Sequence, residues 1–251
     1  MKKILLSALM LSTLAFVSCN DSDDNSGVQD TRIYLPTKIE STEYIQTFVY
    51  DSENRLIESK EIDDDGSYTN QVTFEYVNDK LVSAKEITTE VGDAQTYVST
   101  EDYTFSYQDN RVTITEVYTS NWGSSTNTAV ITINANGKLI SGDDLIATYD
   151  ANGNLTELVE EDVVKTFEYD AKNGVLKNVK TPQWVLHVVL QDLYQFKFNN
   201  AVKLVDVDSD EEDQEITNIS YQYNSANYPI KMNVSDSENF LDSITVEYLK
   251  R

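Results

Sequence analysis

The sequence predicts an all-β fold: an antiparallel meander of about fourteen to sixteen short strands, forming a soluble barrel or a strongly curved sheet. Three observations predict it. Thr, Val, Ile and Tyr are abundant, with sixteen Tyr against three Pro and eight Gly, and such residues fit a pleated surface. Side chains alternate with a period of two. Phe74 and Tyr76 fall on one face and Thr73 and Glu75 on the other, just as Ile244, Val246 and Tyr248 oppose Thr245 and Glu247. A hairpin unit also recurs: a strand ending in an aromatic residue, a turn of Asp, Asn or Gly, and a Leu or Val opening the next strand.

The chain begins with a segment outside this pattern. Met1-Lys2-Lys3 precedes an apolar run from Ile4 to Val17, followed by Ser18-Cys19. Two positive charges, a short apolar core and a small residue before a cut site describe an export signal over residues 1–18. The run falls short of the roughly 20 residues that span a bilayer. Phe16-Val17-Ser18-Cys19 resembles the lipobox of bacterial lipoproteins, which implies acylation of Cys19 as the first mature residue. Cys19 is the one cysteine, so no internal disulfide competes for it. Residues 19–30 are acidic and polar and read as a lipidated tether. Asn20 to Gly27 resembles the Ser-Asp-Asp export signal of surface-exposed Bacteroidetes lipoproteins. That resemblance implies outer-membrane lipid as a partner and exposure at the cell surface; a periplasm-facing anchor is the alternative.

A single domain is expected over residues 31–251. Its hairpin copies run in order through Thr47–Leu56, Val72–Leu81, Tyr103–Val112, Ile131–Leu139, Tyr149–Leu155 and Phe167–Leu176, with weaker copies centred on Phe198, Tyr223 and Tyr248. Asn-Gly between alternating strands signals a tight hairpin, because the turn needs positive φ. Residues 149–155, Tyr-Asp-Ala-Asn-Gly-Asn-Leu, resemble the Tyr-Asp repeat of bacterial surface and toxin-shell proteins, and the other copies match in part. From lipobox to last strand the chain resembles an uncharacterised Bacteroidetes lipoprotein family with a porin-like, barrel-forming fold. A lipid-spanning barrel is nevertheless disfavoured. Its outward faces would carry Glu75, Lys85, Glu86, Glu168 and Glu247, and basic residues at mid-bilayer depth cost about 2–4 kcal/mol each.

One stretch breaks the alternation. Thr181-Pro182 reads as an N-cap with Pro at the first helical position, followed by the apolar run Trp184 to Phe196. Near 182–195 the sequence permits a short helix plugging or capping the sheet, or a buried strand favoured by Val185, Val188 and Val189.

Charge bounds the partners. The chain has 19 Lys and Arg against 43 Asp and Glu, a net charge of −24, and loss of Lys2 and Lys3 with the signal makes it more negative. Nucleic acid and anionic membrane surfaces are disfavoured. The single His, His187, lies in an apolar run, so a Ser-His-Asp triad or a zinc site lacks parts. Calcium is the metal the composition permits, at Asp63 and Asp65 or at Asp206, Asp208 and Asp210. Neither cluster completes an EF-hand loop, since Val72 or Thr217 stands where Glu should close it. No cofactor is otherwise expected.

Trp122 lies in the polar loop Thr119–Ser125, where a flat ring suits stacking on a sugar; the alternative is a ring folded back onto the sheet. Asp242-Ser243-Ile244 resembles the O-glycosylation motif of exported Bacteroidetes proteins, with Ser243 as acceptor. The expected function is that of a non-catalytic cell-envelope binding module for glycan. A structural or adhesive role toward an envelope protein comes second. A glycoside hydrolase using a pair of carboxylates comes third.

Overall fold

The computed structural model describes residues 32–251, except 93, 191–192, 209–213 and 237–238. The signal, the tether, Cys19 and Asp210 lie outside the described residues. Sixteen strands follow one another: β1 (Tyr34–Glu40), β2 (Tyr44–Tyr50), β3 (Leu56–Asp63), β4 (Tyr68–Val77), β5 (Lys80–Val91), β6 (Thr96–Gln108), β7 (Arg111–Ser120), β8 (Gly123–Ile133), β9 (Leu139–Ser141), β10 (Leu145–Tyr149), β11 (Leu155–Glu160), β12 (Val163–Tyr169), β13 (Ala201–Asp208), β14 (Gln214–Tyr223), β15 (Pro229–Ser235) and β16 (Phe240–Lys250). Each pairs antiparallel with the next, and β1 pairs with β16, so the meander closes into a barrel. Closure removes most of the edge that an open sheet would expose.

The recurring hairpin has a specific geometry at one rim. In four turns an Asp or Asn opens the loop and a residue with positive φ stands three places on. The pairs are Asp51/Asn54, Asn134/Gly137, Asp150/Gly153 and Asn224/Asn227, with φ of 66°, 70°, 96° and 62° at the second member. The backbone bonds repeat as well: Gly153 N–H donates to Asp150 O at 3.1 Å and Asp150 N–H donates to Asn154 O at 2.9 Å, with equivalents in the other three turns. The opening side chain accepts backbone N–H groups, as Asp51 Oδ1 does from Glu53 and Arg55 at 2.9 Å each. Asp and Asn suit this role because their short side chains mimic a backbone turn. Burial alone would raise the Asp150 pKa, but the bonds donated by Asn154 and nearby N–H groups outweigh it and hold the carboxyl below its ordinary range.

At five tyrosines at or next to the end of a strand, the ladder carries a β-bulge. Register shifts fall at Val49/Tyr50, Glu75/Tyr76, Thr148/Tyr149, Glu168/Tyr169 and Gln222/Tyr223. The residue opposite each of these tyrosines points inward and is buried, as Leu56, Leu81, Leu155 and Ala201 show. Bulges bend a strand and increase its twist, which a closing sheet needs. Tyrosines then cap carbonyls of the preceding strand. Tyr107 Oη donates to Leu81 O at 2.9 Å, Tyr50 Oη to Pro36 O at 2.8 Å and Tyr248 Oη to Pro229 O at 2.9 Å. The tyrosine girdle therefore faces into the barrel.

A sixteen-stranded barrel is too wide for its own side chains to fill; barrels of this size otherwise enclose a channel. Here the connection between β12 and β13 supplies the missing core. Its single short helix, α1 (Gln183–Val188), carries buried Trp184, Val185 and Leu186. Val175, Leu176, Val179, Val189 and Leu193 join the same apolar cluster as Phe74, Phe105, Ile114, Leu158 and Phe167 from the wall. Polar anchors fix the plug to strands around the wall. Asn178 Nδ2 donates to Tyr34 O at 3.0 Å, Lys180 N–H to Asn54 O at 2.9 Å, and Leu56 N–H to Thr181 Oγ1 at 2.8 Å. The sequence alternatives for 182–195 thus resolve to a helix followed by a 3-10 turn at Tyr194–Phe196. The predicted cap is corrected: Pro182, not Thr181, is the N-cap residue, because the Thr181 hydroxyl is engaged by Leu56 and Tyr76. Phe198, read as the centre of a weak hairpin copy, belongs to this connection and not to a strand.

Gly174 sets the plug's tightest approach. Its N–H donates to Phe198 O at 2.8 Å, and an added Cβ would stand 2.6 Å from Phe196 O and 2.9 Å from Phe198 C. Both are backbone atoms and cannot swing aside. Gly174→Ala is expected to destabilise by about 1–3 kcal/mol, the range for overpacking, read from urea unfolding midpoints. An unchanged midpoint would show that the two plug segments separate freely.

Candidate functional site

Strands β5 to β8 are long, with 12, 13, 10 and 11 residues, while the adjoining β9 has 3. They project past the wall beside them. β8 pairs with β9 only through Thr132 and Ile133, so its outer part is bonded on one side only, to β7.

Register defines the inner face of this projection. Directly paired residues share a face. The pairs Ala84/Tyr103, Glu86/Glu101, Thr88/Ser99 and Glu90/Tyr97 lie along β5 and β6. Phe105/Ile114, Tyr103/Glu116, Glu101/Tyr118 and Ser99/Ser120 continue onto β7. Phe105 and Ile114 belong to the core, so the whole series faces inward. Toward the tip the face changes from apolar, through an acidic band, to aromatic.

The tip carries Trp122, in the two-residue turn between β7 and β8. It is 76% exposed, the most exposed of the large apolar side chains among the described residues. Its ring stacks on Tyr97, with centroids 5.3 Å apart and planes 26° apart. The Trp122 N–H donates to Ser120 Oγ at 3.2 Å, fixing the turn. A shallow hollow of about 90 Å³ lies against the two rings, lined also by Thr88, Glu90, Ser99, Tyr118 and Ser120. Flat apolar ring faces thus stand next to hydroxyls and a carboxylate. Such a surface can stack on one side of a pyranose while bonding its hydroxyls.

Below the tip lie Glu86, Glu101 and Glu116; Glu86, expected on an outward face beside Lys85, instead points inward with its partner Glu101, because neighbours along a strand face opposite ways. Burial pushes the Glu86 pKa up; an Asn70 bond opposes this, and the Glu101 and Glu116 charges add to it. Glu116 is raised by burial and then by Glu101. Tyr103 donates to Glu101 and Asn70 to Glu86. These carboxylates are engaged with wall side chains, and it is Glu90, not this trio, that lines the hollow.

The structure places the other sequence candidates apart. Asp63 and Asp65 serve the β3–β4 turn: Asp63 Oδ1 accepts Tyr68 N–H at 3.0 Å, and Asp65 Oδ1 accepts Ser67 N–H at 2.7 Å. Asp206 and Asp208 lie on β13, away from that turn. Burial raises the Asp206 pKa, with Lys165 opposing and Glu215 and Glu160 adding to it. Among the described residues no group of three or more His, Cys, Asp or Glu is arranged to hold a metal ion. Ser243 lies within β16, half-buried, with its hydroxyl 3.3 Å from Asn233 Oδ1. His187 is largely buried beside Glu160, Nε2 to Oε1 at 3.2 Å; burial lowers its pKa, with Glu160 opposing.

Tyr97 and Glu90 escaped the sequence reading. Trp122 stood out through its polar neighbours, but its partner lies 25 residues earlier and is brought near by the β6–β7 register. The alternation Tyr97-Val98-Ser99 gives a strand, not a neighbour.

No protein-family model and no curated protein matches the chain. Solved structures with a similar chain path include a porin-like protein from Bacteroides vulgatus ATCC 8482, at 13% identity and a TM-score of 0.45, covering 86% of this chain and 99% of that one. Another is a porin-like protein from Bacteroides uniformis ATCC 8492, at 15% identity and a TM-score of 0.37, covering 86% and 96%.

Proposed function

We propose that this barrel is a non-catalytic cell-envelope binding protein that captures glycan at the projecting tip of β5–β8, held to the outer membrane through lipid on Cys19. The observation that carries the reading is the Trp122–Tyr97 stack, exposed above a polar hollow. An indole this exposed buries little of its surface in the fold, and its apolar face gains by covering a ligand. Glu90, Ser99 and Ser120 supply acceptors and donors for sugar hydroxyls. A role as an open pore is disfavoured by the plug. Thr73, Glu75, Lys85, Glu168 and Glu247 face outward and exposed, and charges of this kind suit water better than lipid.

A second reading, contact with another protein, is favoured by the unpaired side of β8 and by exposed Phe240 and Leu241. Unpaired strand edges are templates for added strands.

Calorimetric titration with a panel of neutral and acidic oligosaccharides separates the two. At least one glycan is expected to bind, and Trp122→Ala and Tyr97→Ala are each expected to weaken it tenfold or more, roughly 1.4 kcal/mol. Both sites are at the tip, so thermal stability should stay within about 0.5 kcal/mol of the parent. Binding that survives both substitutions would place the glycan elsewhere. No binding across the panel would leave the protein-contact reading standing.

A further inference from the structure

The barrel holds a second chamber, separate from the tip. At the rim opposite the tight turns, a cavity of about 310 Å³ lies between the plug and the wall. One side is apolar: Ile219, Val234 and Ile244 from β14 to β16, with Phe196 from the plug. On the other side of β1 stand Gln46 and Glu61, direct partners on β2 and β3. Close packing is the rule in protein interiors, and an unfilled apolar lining forfeits dispersion contacts on one side. The volume has room for about ten water-sized groups at ~30 Å³ each, and barrel mouths are common ligand sites.

We infer that this chamber binds a small amphipathic amine, its apolar body against Ile219, Val234, Ile244 and Phe196 and its ammonium group toward Glu61. A mostly apolar lining whose acidic charge is confined to Glu61 calls for a ligand with an apolar body and one charged head. Sign follows from charge: Glu61 is the acidic group of the lining, and the chain as a whole carries −24. A carboxylate head would meet repulsion, and a cation would be attracted. A carboxylate offers about four acceptor positions, so Glu61 can keep its bonds within the wall and accept another donor.

The test is displacement of Nile red from the full-length protein by decylamine, decanol and decanoate, each below its self-association concentration. Decylamine is expected to displace the dye at roughly tenfold lower concentration than decanoate, with decanol between them. Glu61→Gln should bring decylamine to the level of decanol without changing decanol. Val234→Trp should abolish dye uptake by filling the chamber; if it fails to fold, Glu61→Gln decides alone. Failure to take up dye, equal displacement by decanoate, or a Glu61→Gln variant that still prefers the amine would each overturn the proposal. Trp122→Ala should leave every one of these displacements unchanged, so failure here and failure of glycan capture are separate results.

Discussion

Trp184→Ala is expected to cost about 3–5 kcal/mol of unfolding free energy, the range for truncating a large buried aromatic. Trp184 is 1% exposed and meets the Phe105 ring edge-on, with centroids 5.1 Å apart and planes at 70°. It stands on α1, which has six residues and is too short to persist without tertiary contacts. The helix is therefore held by what it packs against, and the barrel in turn is filled by the helix. Removing the indole leaves a void that neither can close, because the wall is pinned by its hydrogen-bond ladder. For a domain of typical stability, about 5–15 kcal/mol, the loss would be a fifth or more. Guanidinium unfolding followed by far-ultraviolet circular dichroism measures it. Trp184→Phe should recover more than half. A loss below about 1 kcal/mol for the alanine variant would mean that the plug is an accessory to the barrel and not part of its core.

What the sequence made legible was local. Asp150, Gly153 and Leu155 announce a turn because each requirement is met within five residues: an acceptor side chain, a positive φ, and an inward apolar residue after the turn. Repeating such units gives the meander, and sixteen strands fall within the range expected. The separation of polar and apolar faces was equally plain in Phe74 and Glu75. Illegible features were those set by residues far apart in the chain. Pairing of Tyr34 with Lys250 closes the barrel, yet nothing in either segment names the other. Thr181 looked like a helix cap because caps are recognised by neighbours in sequence, whereas its hydroxyl is taken by Leu56, 125 residues away. The tip divides in the same manner. Trp122 stands out by the polar residues of its own loop; the acidic band of Glu86, Glu101 and Glu116 requires knowing which strands adjoin and in what register.

Unfolding free energy is expected to rise between pH 7 and pH 9.5, by up to about 3 kcal/mol, and Lys197→Met is expected to remove that rise. Lys197 is buried, and its Nζ donates to the carbonyls of Val179 and Thr181 within the plug. Burial depresses its pKa from 10.5 to about 7. The folded form therefore favours the neutral amine, while the unfolded chain keeps its ordinary affinity for the proton. Between the two values the unfolded state binds more protons, so stability climbs with pH. Below about pH 7 both states are protonated and the group adds no slope; each unit above that contributes about 1.4 kcal/mol. Lys138 is depressed from 10.5 in the same sense by burial, with Asp150 opposing, so the difference between the two proteins isolates the share of Lys197. The His187 pKa is lowered from 6.5, which puts its titration below the window. Buried tyrosines such as Tyr76 and Tyr107 are pushed up to about 12. Their unfolded counterparts ionise near 10, so they begin to erode stability toward the top of the window, equally in the two proteins. Lys197→Met exchanges the depressed amine for an apolar chain but leaves two buried carbonyls without their donor, at about 1–3 kcal/mol. At pH 7 the amine's cost, about 5 kcal/mol over the 3.5 pH units between the two values, exceeds that of the lost bonds, so the variant should be the more stable by about 2–4 kcal/mol. At pH 9.5 only about 1 kcal/mol of that cost remains, and the two proteins should lie within about 2 kcal/mol of each other. Urea midpoints at pH 7, 8 and 9.5 resolve this. Parallel pH profiles for the two proteins would show that Lys197 keeps its charge in the fold and that the plug is open enough to solvate it.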